Sequence, residues 1–397
     1  MNEPIRLLIL THNYPRFSGD YAGVFVALLA KQLVQNGIQP IVIAPHDAGA
    51  SEEEMVDGVR IYRFRYGTDN EETIAYRGNM HNIVLSSVSG IFKFKAFLNA
   101  FRESAFRVVE KERIQVVSGH WLIPAGIVMK SLDRRYHLPM ILSSHGTDVR
   151  IMNKYMGVAF RYLKPVCAKL KSWTVVSEYL RDQIVAVDPS LRDRLTVLPL
   201  PHDETVFYRD PSVKKQAGLV VAVTRFTDQK RVDYLVKAFA QVHNKIPTAN
   251  LALYGSGPLE GEVRALIASL NLGEFVSIHP PVPQAELRMV YNQAGLVVLN
   301  SVQEGFGLAM SEAMMCGTAV IGANSGGIAG IIRHNETGLL VEPDSVSSLA
   351  EGITRLLNDA PLRNRLAEAG HAHATTAYAS GPLAERYAQL VRQALEG

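Results

Sequence analysis

Two glutamates eight residues apart border a glycine-containing stretch in the last third of the sequence. Glu304 starts the stretch Gly305-Phe306-Gly307-Leu308, and Glu312 lies in the helix-forming segment that follows. Gly305 and Gly307 have no Cβ, so the backbone can approach a ligand closely, and the free N–H groups of a helix start attract an anion. Carboxylates beside an anion site are useful when they accept hydrogen bonds from hydroxyl groups. The stretch predicts a site for a polyol phosphate. Taken alone, the glutamates could instead be a helix-capping carboxylate and a solvated helix residue.

Three cations follow an apolar segment at the start of the same half. Arg225, Lys230 and Arg231 come directly after Leu219–Thr224, which reads as a strand. Cations at the end of a strand can clamp a diphosphate, although Arg231 is the one most easily explained as a surface residue. A solvated basic turn is the alternative. Downstream, Tyr254-Gly255-Ser256-Gly257-Pro258 predicts a tight turn, in which Gly257 would shape a wall of a nucleotide pocket.

Glycines, histidines and an aspartate follow predicted strands in the first half. Gly19 and Gly23 lie after the first strand, His120 after a second, and His145 and Asp148 after a third. Open parallel sheets place ligands at the carboxyl ends of their strands, so these residues are candidates for one rim. Core or capping roles are the alternative for each residue taken singly. The histidines show neither the helical nor the finger-type spacing of a metal site, and no metal is predicted.

The elements that must position these residues alternate between short β-rich segments and amphipathic helical segments, which is typical of an α/β fold with parallel sheets. A helix is predicted over Val24–Gln35. The predicted strands are Arg6–Thr11, Pro40–Ala44, Gln115–Ser118, Met140–Ser144, Trp173–Val176, Thr196–Leu198, Leu219–Thr224, Asn250–Tyr254, Val276–His279, Leu296–Leu299 and Ala319–Ile321.

A Pro-rich irregular segment at 199–211 separates two α/β halves of similar size. It predicts a domain boundary. We expect an N-terminal domain over 1–203, a C-terminal domain over 204–379 and a C-terminal helix over 380–397. Two such Rossmann-like domains are predicted to face each other across a cleft, where a ligand commonly binds.

Composition excludes several classes of protein. The 397 residues include only two cysteines, Cys167 and Cys316, which argues against a disulfide framework and favours a reducing cytoplasm. The N-terminus lacks the flanks of a signal peptide, and no segment approaches the roughly 18 apolar residues of a membrane span. We therefore expect a cytoplasmic protein, at most attached to the inner face of a membrane, and no nucleic-acid partner.

Charge is distributed unevenly along the chain. Residues 90–173 hold fifteen basic side chains and five acidic ones, a local excess of +10, whereas the whole chain carries +3. Within this region, Ile91–Phe106 and Lys154–Trp173 interleave basic and apolar residues, among them Tyr155. Such segments can lie on anionic lipid, so peripheral membrane contact through 90–173 is a hypothesis. Ordinary domain helices with solvated basic faces are the alternative, since Pro165 interrupts the second segment.

The sequence resembles the Glu-x7-Glu motif of retaining glycosyltransferases of the GT-B fold, in particular glycosyltransferase family 4. The resemblance lies in Glu304-Gly305-Phe306-Gly307 together with Glu312. The sequence departs from the family pattern at Pro199-Leu200-Pro201-His202-Asp203, where Pro-Asn-Gly-Val-Asp is common, and at Gly330, where a Glu is usual. Further matching segments are Gly19–Gly23, Gly119-His120-Trp121, His145-Gly146-Thr147-Asp148, Arg225 with Lys230, Gly255-Ser256-Gly257-Pro258, Gly317-Thr318-Ala319-Val320, Gly326-Gly327 and Thr337-Gly338-Leu339-Leu340-Val341.

In the C-terminal domain the resemblance implies a complete donor site. Arg225 and Lys230 would neutralise the donor diphosphate, and Glu312 would hold the ribose hydroxyls. Glu304 would bind hydroxyls of the donor sugar, while the backbone of Phe306–Leu308 would contact sugar and phosphate.

In the N-terminal domain the resemblance implies contacts to the reacting groups. The loop with Gly19 and Gly23 would approach the phosphates, and His120 would lie near the reacting sugar. His145 and Asp148 would belong to the acceptor side. The C-terminal helix would cross back to this domain.

The function that the resemblance implies is retaining transfer of a sugar from a nucleotide-sugar donor to a hydroxyl acceptor, in cell-envelope polysaccharide or glycolipid synthesis, with an acceptor that could be lipid-linked. Fixed cations and helix N–H groups can stabilise the leaving diphosphate, so neither a metal nor another cofactor is expected. Two alternatives stay open: another GT-B enzyme, such as a nucleotide-sugar 2-epimerase or a sugar phosphorylase, and a sugar-binding module without catalysis.

Overall fold

A computed structural model describes residues 3–76, 80, 83–84, 87–154 and 158–396. Contacts within the chain divide it into two units. The first unit consists of Met1–Val176, Leu180–Pro201 and Ser380–Gly397, and the second consists of Ser177–Tyr179 and His202–Ala379. This division falls two residues before the boundary that the sequence predicts at 203.

The first unit contains an eight-stranded sheet with the strand order β3-β4-β2-β1-β5-β6-β7-β8. All neighbouring strands run parallel except β3, which is antiparallel to β4. The strands are β1 Ile5–Leu10, β2 Ile38–Pro45, β3 Glu53–Val56, β4 Val59–Phe64, β5 Val116–His120, β6 Met140–Ser144, β7 Ser172–Val175 and β8 Leu195–Val197. The helices in this part of the chain are α1 Val24–Gln35, α2 Val88–Glu112, α3 Gly126–Tyr136, α4 Thr147–Lys154, α5 Val158–Cys167 and α6 Glu178–Val187.

The second unit contains a six-stranded parallel sheet with the order β11-β10-β9-β12-β13-β14. Its strands are β9 Gln216–Val223, β10 Asn250–Tyr254, β11 Val276–His279, β12 Ala294–Leu299, β13 Ala319–Ala323 and β14 Leu339–Val341. Its helices are α7 Val232–Lys245, α8 Glu260–Ser269, α9 Gln284–Gln293, α10 Leu308–Met315, α11 Ile328–Ile331, α12 Val346–Asn358 and α13 Ala360–Ala377. The predicted α/β class with two Rossmann-like parallel sheets is thereby confirmed.

Each sheet is covered by the apolar stripes of its helices. In the second unit, α12 buries Leu349, Ile353 and Leu356, which are spaced three and four residues apart and therefore share one helix face. Burying a side chain of this size stabilises the fold by about 1.5–3 kcal/mol. The central strands are apolar on both faces, as expected for parallel strands between two helix layers.

The chain ends in α14, Ser380–Glu396, which belongs to the first unit. Its residues Leu383, Tyr387 and Val391 are buried in the core of that unit together with residues of α1. At the C-terminal end of α1, Arg392 of α14 donates a hydrogen bond to the carbonyl oxygen of Asn36 at 2.7 Å. The last helix is therefore a structural part of the first unit.

The β3–β4 hairpin is absent from the strands that the sequence predicts. Its turn is Asp57-Gly58, and both residues have positive φ, 50° and 78°. Asp-Gly is a favoured pair for such two-residue turns, so this dipeptide was the signal for the hairpin. β3 is an edge strand with mostly exposed, acidic residues, and its composition lacks the apolar alternation on which strand prediction depends.

No helix in the described part of the chain combines the length and the hydropathy that a bilayer-spanning segment requires.

Candidate functional site

In the second unit, the loops that follow β9, β10, β12 and β13 meet at one edge of the sheet. These four strands are neighbours and run parallel, so their carboxyl ends must lie at the same edge. The loops carry most of the residues that the sequence predicts as the donor site. Contacts between the loops decide how those residues are arranged.

Glycines allow the loops after β9 and β10 to touch. The N–H of Phe226 donates to the carbonyl of Ser256 at 3.0 Å. A Cβ at Gly257 would lie 2.4 Å from the carbonyl oxygen of Phe226, and one at Gly255 would lie 1.8 Å from that of Thr224. Glycine at 255 and 257 is therefore required by contact between protein backbones, and the role of Gly257 as a nucleotide-pocket wall stays a prediction.

A second pair of glycines supports the loop that begins at Glu304. The N–H of Gly327 donates to the carbonyl of Glu304 at 2.7 Å. A Cβ at Gly326 would lie 2.6 Å from the same carbonyl oxygen. Gly307 has φ of 112° and occupies the N-cap position of α10, a conformation that glycine adopts without strain. The carbonyl oxygen of Gly305 accepts a hydrogen bond from the hydroxyl of Ser177 at 2.7 Å.

Lys230 and Glu304 form an ion pair between the loops after β9 and β12. Backbone and amide contacts support it, since Val302 donates its N–H to the carbonyl of Gln229 at 2.9 Å and the Gln229 amide donates to Gln303 at 3.1 Å. The side chains of Lys230 and Glu304 are 18% and 19% exposed, so both still reach solvent. Glu304 does not cap α10, because the N-cap residue is Gly307 and the hydrogen bond of the Glu304 carboxylate comes from Lys230. The alternative reading of Glu304 as a capping carboxylate is therefore wrong.

Glu312 lies in the first turns of α10 and is buried. Its carboxylate accepts a hydrogen bond at 2.9 Å from the hydroxyl of Tyr291, which is also buried. Desolvation raises the pKa of Glu312 to about 7, against the opposing effect of the Tyr291 hydroxyl. The alternative reading of Glu312 as a solvated helix residue is therefore wrong.

The other predicted donor residues differ in exposure. Arg225 is exposed, and among the described residues no carboxylate pairs with it. Phe306 is buried, with its ring 5.5 Å from that of Tyr378 in an edge-on arrangement. Leu308 begins α10. Arg231 pairs with Asp344 at 2.6 Å, which supports its interpretation as a surface residue.

In the first unit, His120 and His145 come together at the carboxyl ends of neighbouring strands. His120 ends β5 and His145 follows β6. The Nδ1 atom of His120 lies 3.0 Å from the Nε2 atom of His145. Burial lowers the pKa of His120 well below its usual value and lowers that of His145 to about 3. Both imidazoles are therefore neutral at pH 7.

Asp148 positions the backbone next to this histidine pair. Its carboxylate accepts hydrogen bonds from the N–H groups of Leu122, His145 and Gly146, at 2.9 to 3.2 Å. Asp148 is buried, and three N–H donors use most of its accepting capacity. The structure thus places Asp148 beneath the loop, where it fixes the position of His145.

A third histidine, His12, was missed by sequence reasoning. It is half-buried, follows β1 and lies edge-on to Trp121 at 4.6 Å between ring centroids. Desolvation lowers its pKa to about 4. The sequence carries a signal for it, since His12 directly follows the predicted strand Arg6–Thr11, just as His145 directly follows Met140–Ser144.

The glycines after β1 have different reasons for being glycine. A Cβ at Gly23 would lie 2.2 Å from the carbonyl oxygen of Asn13, so this position has no room for a side chain. Gly19 has open space around it but a φ of 87°, which favours glycine. The same loop is held by Arg16, which pairs with Asp20 at 2.7 Å and with Asp47 at 2.5 Å.

A small pocket in the first unit adjoins the histidine pair. Hydroxyl groups from three strands and from α14 meet there: the Tyr387 hydroxyl lies 2.6 Å from Ser118 Oγ and 3.2 Å from Ser143 Oγ, and Thr174 donates to Ser143 at 2.8 Å. The pocket is lined by Phe25, Leu29, His120, Ser143, His145, Thr174, Val176, Leu198, Pro199, Leu200, Pro201, Leu383 and Tyr387.

The two basic segments of residues 90–173 differ in the structure. In Lys154–Trp173, the apolar residues Leu163, Val166 and Leu170 are buried, and Lys164 and Lys169 pair with Asp188 and Asp133 at 2.9 and 2.8 Å. Tyr155 of this segment lies outside the described residues. The buried residues support the alternative of an ordinary domain helix for this segment.

The N-terminal part of α2 exposes apolar side chains. Val88, Ile91 and Phe92 are 71%, 58% and 66% exposed, and with the exposed Lys95 they follow the spacing of one helix face. Phe97 and Phe101, on the other face, are buried. The exposed face differs from a solvated helix surface, which would carry polar residues there.

Among the described residues, one group of side chains has the proximity of metal ligands: His46, Asp69 and Glu72 in the first unit. These groups already contact protein partners. His46 lies 2.6 Å from Glu72 and 3.0 Å from the carbonyl of Ala50, and Arg65 pairs with both Asp69 and Glu72. The group therefore forms a hydrogen-bonded ion-pair network.

Two family profiles divide the chain between them. The profile of Glycosyltransferase Family 4 matches residues 22–206, and that of Glycosyl transferases group 1 matches residues 206–373. Among curated proteins, N-acetyl-alpha-D-glucosaminyl L-malate synthase from Bacillus anthracis is 25% identical over 299 residues, which cover 72% of this chain and 77% of the relative.

Solved structures share the whole fold. Sucrose-phosphate synthase from Thermosynechococcus elongatus superposes with a TM-score of 0.79 and 22% identity, covering 98% of each chain. HepE from Anabaena, in complex with UDP and glucose, superposes with a TM-score of 0.72 and 15% identity, covering 98% of this chain and 99% of the other. At these identities the likeness establishes the fold.

Proposed function

The chain belongs to the glycosyltransferases of the GT-B fold and of family 4 type. We propose that it transfers a sugar from a nucleotide-sugar donor to a hydroxyl acceptor with retention of configuration. The donor would bind the loops after β9 and β12 in the second unit. The acceptor would bind near His120 and His145 in the first unit.

The observation that carries the donor assignment is the Lys230–Glu304 pair at the start of α10. A cation and a carboxylate held side by side, both open to solvent, match a ligand that has a phosphate next to sugar hydroxyls. Arg225 adds a second cation without a carboxylate partner among the described residues. The first N–H groups of α10 add a positive dipole end.

The charges of this site suit the chemistry of sugar transfer. The bond between the anomeric carbon and the donor phosphate breaks, and negative charge grows on the leaving diphosphate. Lys230, Arg225 and the α10 N–H groups are fixed donors that can stabilise this charge. With retention, the acceptor attacks from the face on which the leaving group departs, and the leaving phosphate takes the acceptor's proton. This arrangement needs no metal ion or other cofactor.

The known proteins support a nucleotide-sugar donor and a hydroxyl acceptor. HepE was solved with UDP and glucose, and the name of the Bacillus anthracis relative describes a sugar joined to malate, which is a hydroxy acid. We propose a cell-envelope polysaccharide or glycolipid as the product of this chain, formed at the cytoplasmic face of a membrane on a lipid-linked acceptor.

A donor screen tests the assignment. Thermal unfolding is followed with UDP-, GDP- and ADP-sugars, and we expect one base to stabilise the protein by roughly 2.7 kcal/mol at about 100 times its dissociation constant. Lys230→Ala should lose that stabilisation, while Arg231→Ala, whose guanidinium pairs with Asp344, should keep it. Stabilisation by none of the donors would contradict the assignment. Conversion of the donor without any acceptor would identify an epimerase instead.

A lipid-linked acceptor would place the protein at an anionic membrane, and we assign that contact to the first half of α2. Residues 88–102 contain Lys93, Lys95 and Arg102 and no acidic residue. Three exposed apolar side chains, Val88, Ile91 and Phe92, share the first turns of this helix with Lys93 and Lys95. Exposed apolar side chains with neighbouring cations suit the boundary between acyl chains and anionic headgroups. Each cation near the surface contributes about 1 kcal/mol to the free energy of membrane binding.

Vesicle co-sedimentation tests this contact. Wild-type protein should bind phosphatidylglycerol vesicles at low salt and bind them less at high salt. An Ile91→Glu, Phe92→Glu double variant should stay in the supernatant. Met55→Glu, which changes an exposed apolar residue on β3 of the same unit, is the matched control and should still bind. Equal binding of the double variant and the control would refute the assignment to α2.

A further inference from the structure

His120 and His145 are each other's polar partner. The contact between His120 Nδ1 and His145 Nε2 is 3.0 Å long. The remaining ring nitrogens, His120 Nε2 and His145 Nδ1, are buried and have no hydrogen-bond partner among the residues that the structure describes. A buried nitrogen without a partner is costly, so such an atom suggests a place for a ligand or water group.

Packing holds His145 in one orientation. Its ring lies 4.8 Å from that of Phe25 and 4.5 Å from that of Trp121, measured between centroids. Its backbone N–H is held by Asp148 at 3.2 Å. Aromatic neighbours offer no lone pair in the ring plane, so His120 supplies the hydrogen bond that fixes the protonation of His145.

His120 is held from its other side by the last helix. The ring of Tyr387 lies 6.5 Å from that of His120 at an angle of 23°. The Tyr387 hydroxyl is engaged with Ser118 and Ser143 and does not bond to the imidazole. The protonation of His120 therefore depends on His145.

Two neutral imidazoles that share one hydrogen bond have two arrangements. In the first, His145 donates its Nε2–H to Nδ1 of His120, and His120 carries its own proton on Nε2. In the second, His120 donates its Nδ1–H to His145, and Nε2 of His120 is a bare acceptor. The bond made by one ring nitrogen thus decides what the other nitrogen offers to a ligand.

We propose that His145 is a positioning residue that makes Nε2 of His120 a hydrogen-bond donor toward an oxygen of the bound sugar. In this arrangement both rings adopt the Nε2–H tautomer, which is the more stable tautomer of a neutral imidazole side chain in water. The opposite arrangement requires the less stable tautomer in both rings. The inference rests on the proposed function for the identity of the ligand, but the tautomer is a property of the free protein.

Substitutions at 145 test the positioning role. The amide nitrogen of Gln can occupy the place of imidazole Nε2 and donate to His120, whereas Asn is too short and Leu has no donor. We expect His145→Gln to retain at least tenfold more kcat than the Asn and Leu variants. His145→Asn and His145→Leu should lower kcat about 10- to 100-fold, with a smaller change in KM. Equal kcat for Gln and Leu variants would overturn the proposal.

Nitrogen-15 NMR of labelled histidine in the wild-type protein reads the tautomer directly and needs neither donor nor acceptor. We expect His120 with a protonated Nε2 and a bare Nδ1, assigned by loss of its signals in His120→Gln. His145→Leu should change this pattern, and His145→Gln should preserve it. A protonated Nδ1 on His120 in the wild type would overturn the proposal. This result stands even if the chain transfers no sugar, so failure of the proposed function is distinguishable from failure of this inference.

Discussion

The carboxyl-end edges of the two sheets carry different chemistry. The edge of the second unit presents charges that solvent still reaches, with Lys230 and Glu304 each about one fifth exposed. The edge of the first unit presents His120 and His145, which are held neutral by burial among aromatic rings. Because burial penalises the charged form of a group, exposure decides which edge can carry charge.

Under the proposed function, this difference corresponds to a division of tasks. A leaving diphosphate gains negative charge and requires fixed cations, which the second unit offers. A sugar or acceptor hydroxyl is neutral and requires hydrogen bonds of defined direction, which a pair of neutral imidazoles can give. Changes in the second unit should therefore affect charge stabilisation strongly, whereas changes in the first should affect orientation and packing.

The largest expected effect is at Lys230. Lys230→Ala should lower kcat about a hundredfold, equivalent to about 3 kcal/mol, because a fixed cation is lost where charge develops. Arg225→Ala should act in the same direction. Steady-state kinetics with the preferred donor measures both. The fold should be retained, since a partly exposed ion pair contributes at most about 1 kcal/mol to stability. A folded Lys230→Ala enzyme with normal turnover would show that the second unit's charges are not used for the leaving group.

The two glutamates of the second unit should separate into two roles. Glu304→Ala should lower kcat, roughly thirtyfold, because this carboxylate lies beside the reacting sugar in the proposed site. Glu312→Ala should raise KM with a smaller change in kcat, because ribose is remote from the bond that breaks. Parallel kinetics on both variants make the comparison. If both variants change KM alone, then Glu304 is misassigned.

Donor affinity should depend on pH through Glu312. Burial raises the pKa of this carboxyl to about 7, so it is a carboxylate above pH 7 and protonated below. Ribose hydroxyls donate to the carboxylate, and we therefore expect nucleotide affinity to fall about tenfold per pH unit below pH 7. Calorimetric titration between pH 6 and 8 measures it. Glu312→Gln is the control, because it retains any titration of the nucleotide itself. An identical pH dependence in wild type and variant would contradict this role.

The smallest effect concerns packing in the first unit. Tyr387→Phe removes a hydroxyl that bonds to Ser118 and Ser143. We expect the free energy of unfolding to fall by about 1–1.5 kcal/mol, measured by urea denaturation. Donor binding in the second unit should be unchanged, as judged by nucleotide titration. A weaker donor affinity in this variant would mean that the two edges do not act separately.

Local sequence patterns were sufficient for most of the regular structure. The predicted strands Met140–Ser144 and Asn250–Tyr254 agree with β6 and β10 to the residue, and the predicted helix Val24–Gln35 agrees with α1. These segments are apolar or amphipathic with a clear period, so burial and periodicity identify them. The strand β3, Glu53–Val56, is absent from the predicted strands because an exposed edge strand carries no such pattern.

Individual side chains were harder to predict than elements. The sequence predicted that Glu304 and Glu312 belong to one site, but it gave no difference between them. In the structure Glu304 pairs with Lys230 from a distant loop, and Glu312 is buried against Tyr291. Likewise, Lys154–Trp173 and the start of α2 have the same basic amphipathic pattern, but the described part of the first buries Leu163, Val166 and Leu170, whereas the start of α2 exposes Val88, Ile91 and Phe92.

The sequence by itself determined the α/β class, the two units and the glycines at the strand ends, because these depend on period, composition and backbone geometry within short windows. The tertiary structure alone decided which charges meet and which titratable groups are buried. His120 and His145 are 25 residues apart, and Lys230 and Glu304 are 74 residues apart. Their partnership and their desolvation depend on strand order and packing, which no local pattern contains.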